Sequence, residues 1–205
     1  MKNVEKIVET LNEKYKIKPW KEKPFKLLIG TILSQRTRDE KTSQAWKKLF
    51  SKADTPEKIL KLSEKEIQSL IKDVGFYRQK AKRIKKICRI ILEKYKGRIP
   101  PSREELMKLP GVGPKTADVV LSYSFGKPVI AVDTHVAAIS KRLGWTKSNK
   151  PEKIREDLHK VVPKKYRLLI NSLFVEFGKD ICRAKPKCYA CPVKKFCKFG
   201  KRITT

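Results

Sequence analysis

The sequence predicts an all-α fold, and three observations carry that prediction. Apolar residues recur at helical spacing through most of the chain, Ser, Thr, Asn and Pro start signals punctuate them, and a single run reads as a strand. That run is PVIAV, residues 128 to 132, and one strand cannot make a sheet, so an extended linker is expected there. Val4, Ile7, Val8 and Leu11 form an i, i+3, i+4, i+7 stripe behind Asn3, a candidate cap. Pro24 opens the apolar stretch FKLLIGTILS, read as a buried helix, and Ala45, Trp46, Leu49 and Phe50 mark the next. Thr55-Pro56 is a helix start, as is Ser63 with Glu66, a capping box. Ile84, Ile87, Cys88 and Ile91 line one face of a long helix, and Cys88 is assigned to that core face. Ser102 with Glu105 is a second box, opening a helix that leads into a glycine hairpin. Helices over about 151 to 161 and 164 to 177 follow, the second with Leu169, Ile170, Leu173 and Phe174 inward. No internal repeat or low-complexity tract appears.

Composition bounds the function. A chain of 205 residues with 40% apolar content can bury a core in one domain or two small ones. Its 51 Lys and Arg against 21 Asp and Glu give a net charge of +30, which points to a polyanion, nucleic acid first. The plainer reading is a solvated lysine-rich surface of the kind found in hyperthermophiles. No apolar run approaches the ~20 residues that span a bilayer, and the first residues lack the apolar core of a signal peptide. An intracellular, cytoplasmic protein with no membrane partner is expected, and in that compartment clustered cysteines point to metal rather than disulfides.

Residues 109 to 120 read LPGVGPKTADVV. Two glycines around one apolar residue, between two helical runs, make a tight hairpin whose backbone amides at Gly111, Val112 and Gly113 can face a phosphate. Pro114 suits the first helical position, which puts Lys115 in the first turn. A lysine that forms a Schiff base must be neutral, yet a free lysine titrates near pH ~10.4. A shift of about three units costs the charged form roughly 4 kcal/mol, and a helix dipole contributes typically under ~1 kcal/mol. Burial and neighbouring charge must supply the rest. On position alone, Lys115 is also readable as one of many surface lysines, and the hairpin as a backbone-binding element. Asp133, eighteen positions on in AVDTHV, is a natural N-cap for the helix that follows it.

Cys182, Cys188, Cys191 and Cys197 form C-x5-C-x2-C-x5-C within sixteen residues. Four thiolates converging on one centre bind zinc or an iron-sulfur cluster. Zinc sites usually pair short knuckles across a longer loop, so one short pair flanked by two five-residue arms favours a 4Fe-4S cluster.

With the hairpin lysine, the aspartate and the cysteine loop together, the chain resembles the endonuclease III family of helix-hairpin-helix DNA glycosylases. The resemblance covers nearly the full length. It rests on LLIGTILSQRTRDEKT at 27 to 42, VGFYRQKA at 74 to 81, LPGVGPKTADVVL at 109 to 121, FGKPVIAVDTHV at 125 to 136 and CRAKPKCYACPVKKFC at 182 to 197. It implies two domains facing across a DNA-binding cleft with the active site at its mouth. One is a six-helix barrel, about 20 to 127, containing the helix-hairpin-helix at about 102 to 122. The other joins residues 1 to 19 to 128 to 205 and holds the cluster in the loop 182 to 197. The implied partner is double-stranded DNA carrying damaged bases or abasic sites, bound by a monomer.

The resemblance also implies roles. Lys115 matches the nucleophile that attacks C1′ of the damaged nucleotide, and Asp133 matches the carboxylate that stabilises positive charge developing on the sugar. His135 matches a position near the cleft, although alone it reads equally as a local hydrogen-bonding residue. Phe76 falls at an apolar wedge position, where leucine is common, and Arg36 where a glutamine often fills the gap opposite the orphaned base. The plainer readings are a core Phe76 and a phosphate contact for Arg36. Arg183, Lys185 and Lys187 lie in the cysteine arm that touches phosphates in the family. The arginine at position 36 departs from the family pattern, and the first cysteine arm is one residue shorter than that pattern. The cluster itself is expected to be structural or DNA-binding, with redox sensing as an alternative.

The activity implied is that of a bifunctional glycosylase and abasic-site lyase for oxidised or ring-saturated pyrimidines. Two alternatives stand beside it: a monofunctional glycosylase for mismatched thymine or uracil, whose relatives generally lack this lysine, and a non-catalytic helix-hairpin-helix DNA-binding protein. An adenine glycosylase is expected to carry a further C-terminal domain, whereas eight residues follow Cys197.

Overall fold

A computed structural model describes residues 3 to 203. Eleven α-helices and four short 3-10 turns are present among them, with no strand, and PVIAV runs as an extended segment without regular structure. The helices divide between two compact units. Lys21–Phe125 forms one, and the described residues up to Trp20 and from Gly126 onward form the other.

The central unit contains α2 (Pro24–Ser34), α3 (Asp39–Lys52), α4 (Pro56–Lys61), α5 (Glu64–Leu70), α6 (Tyr77–Tyr95), α7 (Arg103–Met107) and α8 (Pro114–Phe125). Helix α2 is the hub, packed on α3, α6 and α8, while α6 also covers α4 and α5. Leu28, Ile29, Ile32 and Leu33 of α2 and Ile84, Ile87, Cys88 and Ile91 of α6 are fully buried. Each such leucine or isoleucine contributes roughly 1.5–3 kcal/mol by leaving water. The Cys88 thiol, pushed up to about 12 by its burial, is inert core.

The second unit contains α1 (Val4–Tyr15), α9 (Thr134–Leu143), α10 (Pro151–Val161) and α11 (Arg167–Asp180), followed by the cysteine loop. Ile7, Val8 and Leu11 of α1 enter one cluster with Ile139, Leu173, Phe174, Val193 and Cys197, so the start and the end of the chain share a core. Polar contacts add to that junction. Asp180 accepts from Lys14 and from the Tyr15 hydroxyl, both at 2.9 Å, and those contacts hold its carboxyl below the usual range.

The start signals differ in how fully they act. Ser63 and Glu66 make the complete reciprocal box, and Thr55 caps α4. Ser102 accepts from Glu105 N–H at 3.4 Å, but the second box is only half formed. The Glu105 carboxylate turns instead to Lys108, Tyr95 and Lys94, which hold it down to about 2. Asn3 stands at the N-cap of α1 without a side-chain cap bond, so the expected cap is absent. Leu169 is only half-buried. The inward stripe of α11 keeps Ile170, Leu173 and Phe174 from the expected set and continues to Phe177 at i, i+3, i+4, i+7 spacing.

Candidate catalytic residues, wedge loops and cysteine loop

The hairpin between α7 and α8 turns at Gly111, whose φ of +75° favours glycine. A Cβ there would also lie 2.5 Å from the Arg83 side chain. Val112 corrects one expectation. Its side chain is buried and its N–H is taken by the Leu109 carbonyl at 3.1 Å, so it has no amide to offer a phosphate. The amides of Gly111 and Gly113 have no partner among the described residues and remain open to one. Pro114 begins α8, and Lys115 stands exposed in its first turn with no side-chain partner among the described residues. The burial that sequence reasoning asked for is therefore not supplied by its own unit. Gln35 ties the hairpin to the loop after α2: its amide donates to Gly111 O at 3.0 Å and its carbonyl accepts from Arg83 at 3.2 Å.

That loop and the one before α6 present Arg36 and Phe76. Both residues are non-glycine with positive φ, 52° and 57°, and both are exposed, Phe76 by 54%. The reading of Phe76 as core is thereby corrected. The Arg36 guanidinium lies 5.5 Å from the centre of the Phe76 ring, within cation-π range. Beneath them Lys80, only 2% exposed, donates to Leu33 O at 2.7 Å, Gln35 O at 2.5 Å and Thr37 Oγ1 at 3.0 Å. Burial, with a smaller push from Arg83, brings its ammonium down to about 8.

In the second unit Asp133 is the N-cap of α9. One carboxylate oxygen accepts from Val136 N–H at 2.8 Å and the other from the Asn171 amide at 3.1 Å. The same Asn171 nitrogen donates to Ala131 O at 3.0 Å, fixing the carboxylate to the extended segment before it. His135 packs against α11 at Gly178, where a Cβ would come within 2.3 Å of its Nδ1.

Cys182, Cys188 and Cys191 are half-buried and Cys197 is buried, in a loop built from 3-10 turns at Cys188–Ala190 and Lys194–Phe196. Burial, opposed by the Val193 backbone N–H and helped less by the other three thiols, pushes Cys191 up to about 11. Arg142 clamps the loop, donating to Cys182 O at 2.8 Å, Cys182 Sγ at 3.2 Å, Arg183 O at 2.7 Å and Ala184 O at 3.1 Å. Gly200 N–H reaches Cys197 Sγ at 3.3 Å. Among the described residues no group of three or more His, Cys, Asp or Glu is drawn together closely enough to hold a metal ion. Lys185 and Lys187 are exposed on the first arm, and Arg183 there donates to Lys179 O at 2.7 Å. Asn171, Lys80, Gln35 and Arg142 escaped sequence reasoning, since nothing local separates them from the other polar residues of so basic a chain.

Residues 29–164 match the HhH-GPD superfamily of base excision DNA repair proteins. The endonuclease III of Thermotoga maritima is 52% identical over 180 residues, 87% of this chain and 84% of that one. That of Escherichia coli K12 is 38% identical over 181 residues, 88% and 86% of the two chains. The chain belongs to the endonuclease III family. A trapped endonuclease III–DNA covalent intermediate superposes with a TM-score of 0.87 at 36% identity, covering 98% of this chain and 96% of the other. A thermostable thymine-DNA glycosylase gives the same TM-score at 29% identity, covering 98% and 95%. As a family member the protein is a base excision repair enzyme, a DNA glycosylase and abasic-site lyase acting on duplex DNA. No described helix is long and apolar enough to cross a membrane.

Proposed function

We propose that this endonuclease III relative removes oxidised or ring-saturated pyrimidines and cleaves the strand through a Schiff base on Lys115. The observation that carries the reading is Lys115 itself, exposed in the first turn of α8 directly after a hairpin with two open amides. The Gly111 and Gly113 amides bind the backbone phosphate, which leaves the lysine free to react. Its neutral amine attacks C1′ as the N-glycosidic bond breaks and the base departs with the bonding pair. Loss of a proton from nitrogen and cleavage of C1′–O4′, with the ring oxygen leaving as a hydroxyl, turn this aminal into the imine, which lets a C2′ proton leave so that the 3′ phosphate departs by β-elimination. The Asp133 carboxylate, held by two donors, stabilises the positive charge that builds on the sugar. DNA itself supplies the desolvation that Lys115 lacks in the free protein.

The thymine-DNA glycosylase shares the fold equally well, so the fold alone does not single out the lyase reaction. The lysine does, and a covalent DNA intermediate trapped on an endonuclease III supports the lyase reading. Arg36 and Phe76 act as the inserting pair that fills the gap left by a flipped nucleotide. Lys185, Lys187 and the Arg183 guanidinium bind phosphates, and His135 supports the segment that carries Asp133. The four cysteines would hold a 4Fe-4S cluster. The donor set fits it in kind, being four thiols in one partly buried loop that shares the unit's core, two of them already receiving hydrogen bonds from Arg142 and Gly200, and the loop would draw the thiols together around it. Bound there, the cluster supplies a cross-link that fixes the loop. The protein acts as a monomer on DNA in the cytoplasm.

Borohydride reduction in the presence of abasic-site DNA tests the central claim. A denaturation-resistant adduct mapping to Lys115 is expected, and base excision with no adduct would replace this reading with the monofunctional one. Iron and sulfide at about four atoms each per chain test the cluster; stoichiometric zinc without iron would refute it.

A further inference from the structure

Lys80 is the most enclosed cation of the central unit, and the roles assigned above leave it without a task. Its ammonium has three donors and meets three acceptors: Leu33 O, Gln35 O and Thr37 Oγ1. The Thr37 hydroxyl closes the arrangement, because it also accepts from Gly75 N–H at 3.1 Å and donates to Gln35 O at 3.2 Å. Gly75 itself is wedged against the same loop, with room for no Cβ, since one would lie 2.7 Å from Arg36 O. The backbone on either side of Arg36, and the residue before Phe76, are thus joined through one buried ammonium and one hydroxyl.

Both residues so bracketed are in left-handed conformation, as are Lys16 and Lys96, but those two are helix C-caps, where that conformation is ordinary. A non-glycine residue in that region costs about 1–2 kcal/mol. Such conformations persist where the surroundings over-determine them, and they concentrate where strain serves a function. Hydrophobic packing does not supply the constraint here, since both side chains point to solvent. The polar lock beneath them does.

We infer that Lys80 is a positioning residue: with Thr37 it locks the loops 35–37 and 75–76 together, so that Arg36 and Phe76 are presented to duplex DNA as one preassembled inserting unit. This rests on the proposed wedge role of that pair. A wedge ordered before contact inserts without an entropic cost at the moment of flipping, whereas two independent loops would each have to be ordered on DNA. The opening beside the pair, about 170 Å³ and lined by Gln35, Arg36, Phe76, Gln79, Lys80 and Arg83, then has a fixed shape in which an orphaned base could be read.

The test compares Lys80→Met, which keeps the buried stem and removes the ammonium, with Phe76→Ala and Arg36→Ala in the full-length holoenzyme. Two single-turnover rates are measured, base release from a lesion duplex and strand cleavage at a preformed abasic site. The fluorescence of 2-aminopurine opposite the lesion reports unstacking. Lys80→Met is expected to slow base release roughly tenfold to a hundredfold, as a misplacement of about 1 Å does, and to diminish the fluorescence rise. Cleavage at the abasic site should change less than about threefold, because no stacked base must be displaced there. Thr37→Val should reproduce the selectivity in a milder form and serves where Lys80→Met fails to fold. Equal loss of both reactions in Lys80→Met and Thr37→Val would show a merely structural lock and overturn the proposal, as would no loss in either. Selectivity in Phe76→Ala and Arg36→Ala without it in the lock variants would overturn the Lys80 role alone. If the wedge variants themselves lack selectivity, the wedge reading falls and the Lys80 role falls with it.

Discussion

The hairpin that carries Lys115 and the segment that carries Asp133 hold their reactive groups in opposite ways. Lys115 is exposed and its side chain has no partner among the described residues, while Asp133 is half-buried and fixed at both carboxylate oxygens. The chemistry proposed for each explains the contrast. A nucleophile must approach a carbon, form a bond, and then let the linkage change from amine to imine, so its flexible stem is an asset. A carboxylate that stabilises developing charge acts only as well as it is pre-aimed, since reorganisation during the reaction would consume the stabilisation it gives. Around Lys115 the glycine turn is pinned by Gln35 and Arg83, so the flexible side chain springs from a rigid base.

Breaking the contrast at the lysine gives the largest effect. Lys115→Gln should abolish borohydride trapping and strand cleavage below detection. DNA affinity should stay within about a factor of three, because one charge among 51 basic residues barely changes the phosphate contribution. Filter binding and denaturing gels read the two quantities on one preparation. Residual trapping in this variant would mean that another amine is the nucleophile. At the carboxylate the loss should be partial: Asp133→Asn keeps a cap oxygen for Val136 N–H but removes the charge. Base release should slow roughly a hundredfold to a thousandfold, the usual cost of losing one preorganised electrostatic group. Trapping at preformed abasic sites should persist, since no base departs in that step. Equal loss in both reactions would assign Asp133 to proton transfer at the lysine instead of charge stabilisation.

What could be read in the sequence follows the range of the forces involved. Capping and hairpin geometry act within three or four residues, so Ser63 with Glu66, the Gly111 turn and the Asp133 cap are all visible as local patterns. The half-formed box at Ser102 shows where that locality ends, because Glu105 is claimed by Tyr95 and Lys94 from another helix. The partners that make side chains functional are distant: Asn171 reaches back to Asp133 from α11, and Lys80 reaches the loop after α2 from α6. Neither carries a local signature, and in a chain this rich in lysine a buried ammonium looks like any other until the fold encloses it. Phe76 was legible as a candidate wedge through family resemblance, but its exposure and left-handed backbone belong to the tertiary structure.

The finest test of the contrast lies in how tightly Asp133 is aimed. The Asn171 amide bridges its second oxygen to Ala131 O, whereas the cap bond from Val136 holds only the first. Asn171→Ala removes that bridge and leaves both the charge and the cap in place, so it loosens the carboxylate without deleting it. If about 1 kcal/mol of the bond's worth is felt in the transition state, base release should slow roughly fivefold. Lysine trapping at abasic sites should stay at the wild-type rate, and thermal stability should fall by no more than a few degrees. The double variant with Asp133→Asn should be no slower than Asp133→Asn alone, because an amide that works by aiming a charge has nothing to aim once the charge is gone. An additional loss in the double variant would mean that Asn171 contacts the DNA itself.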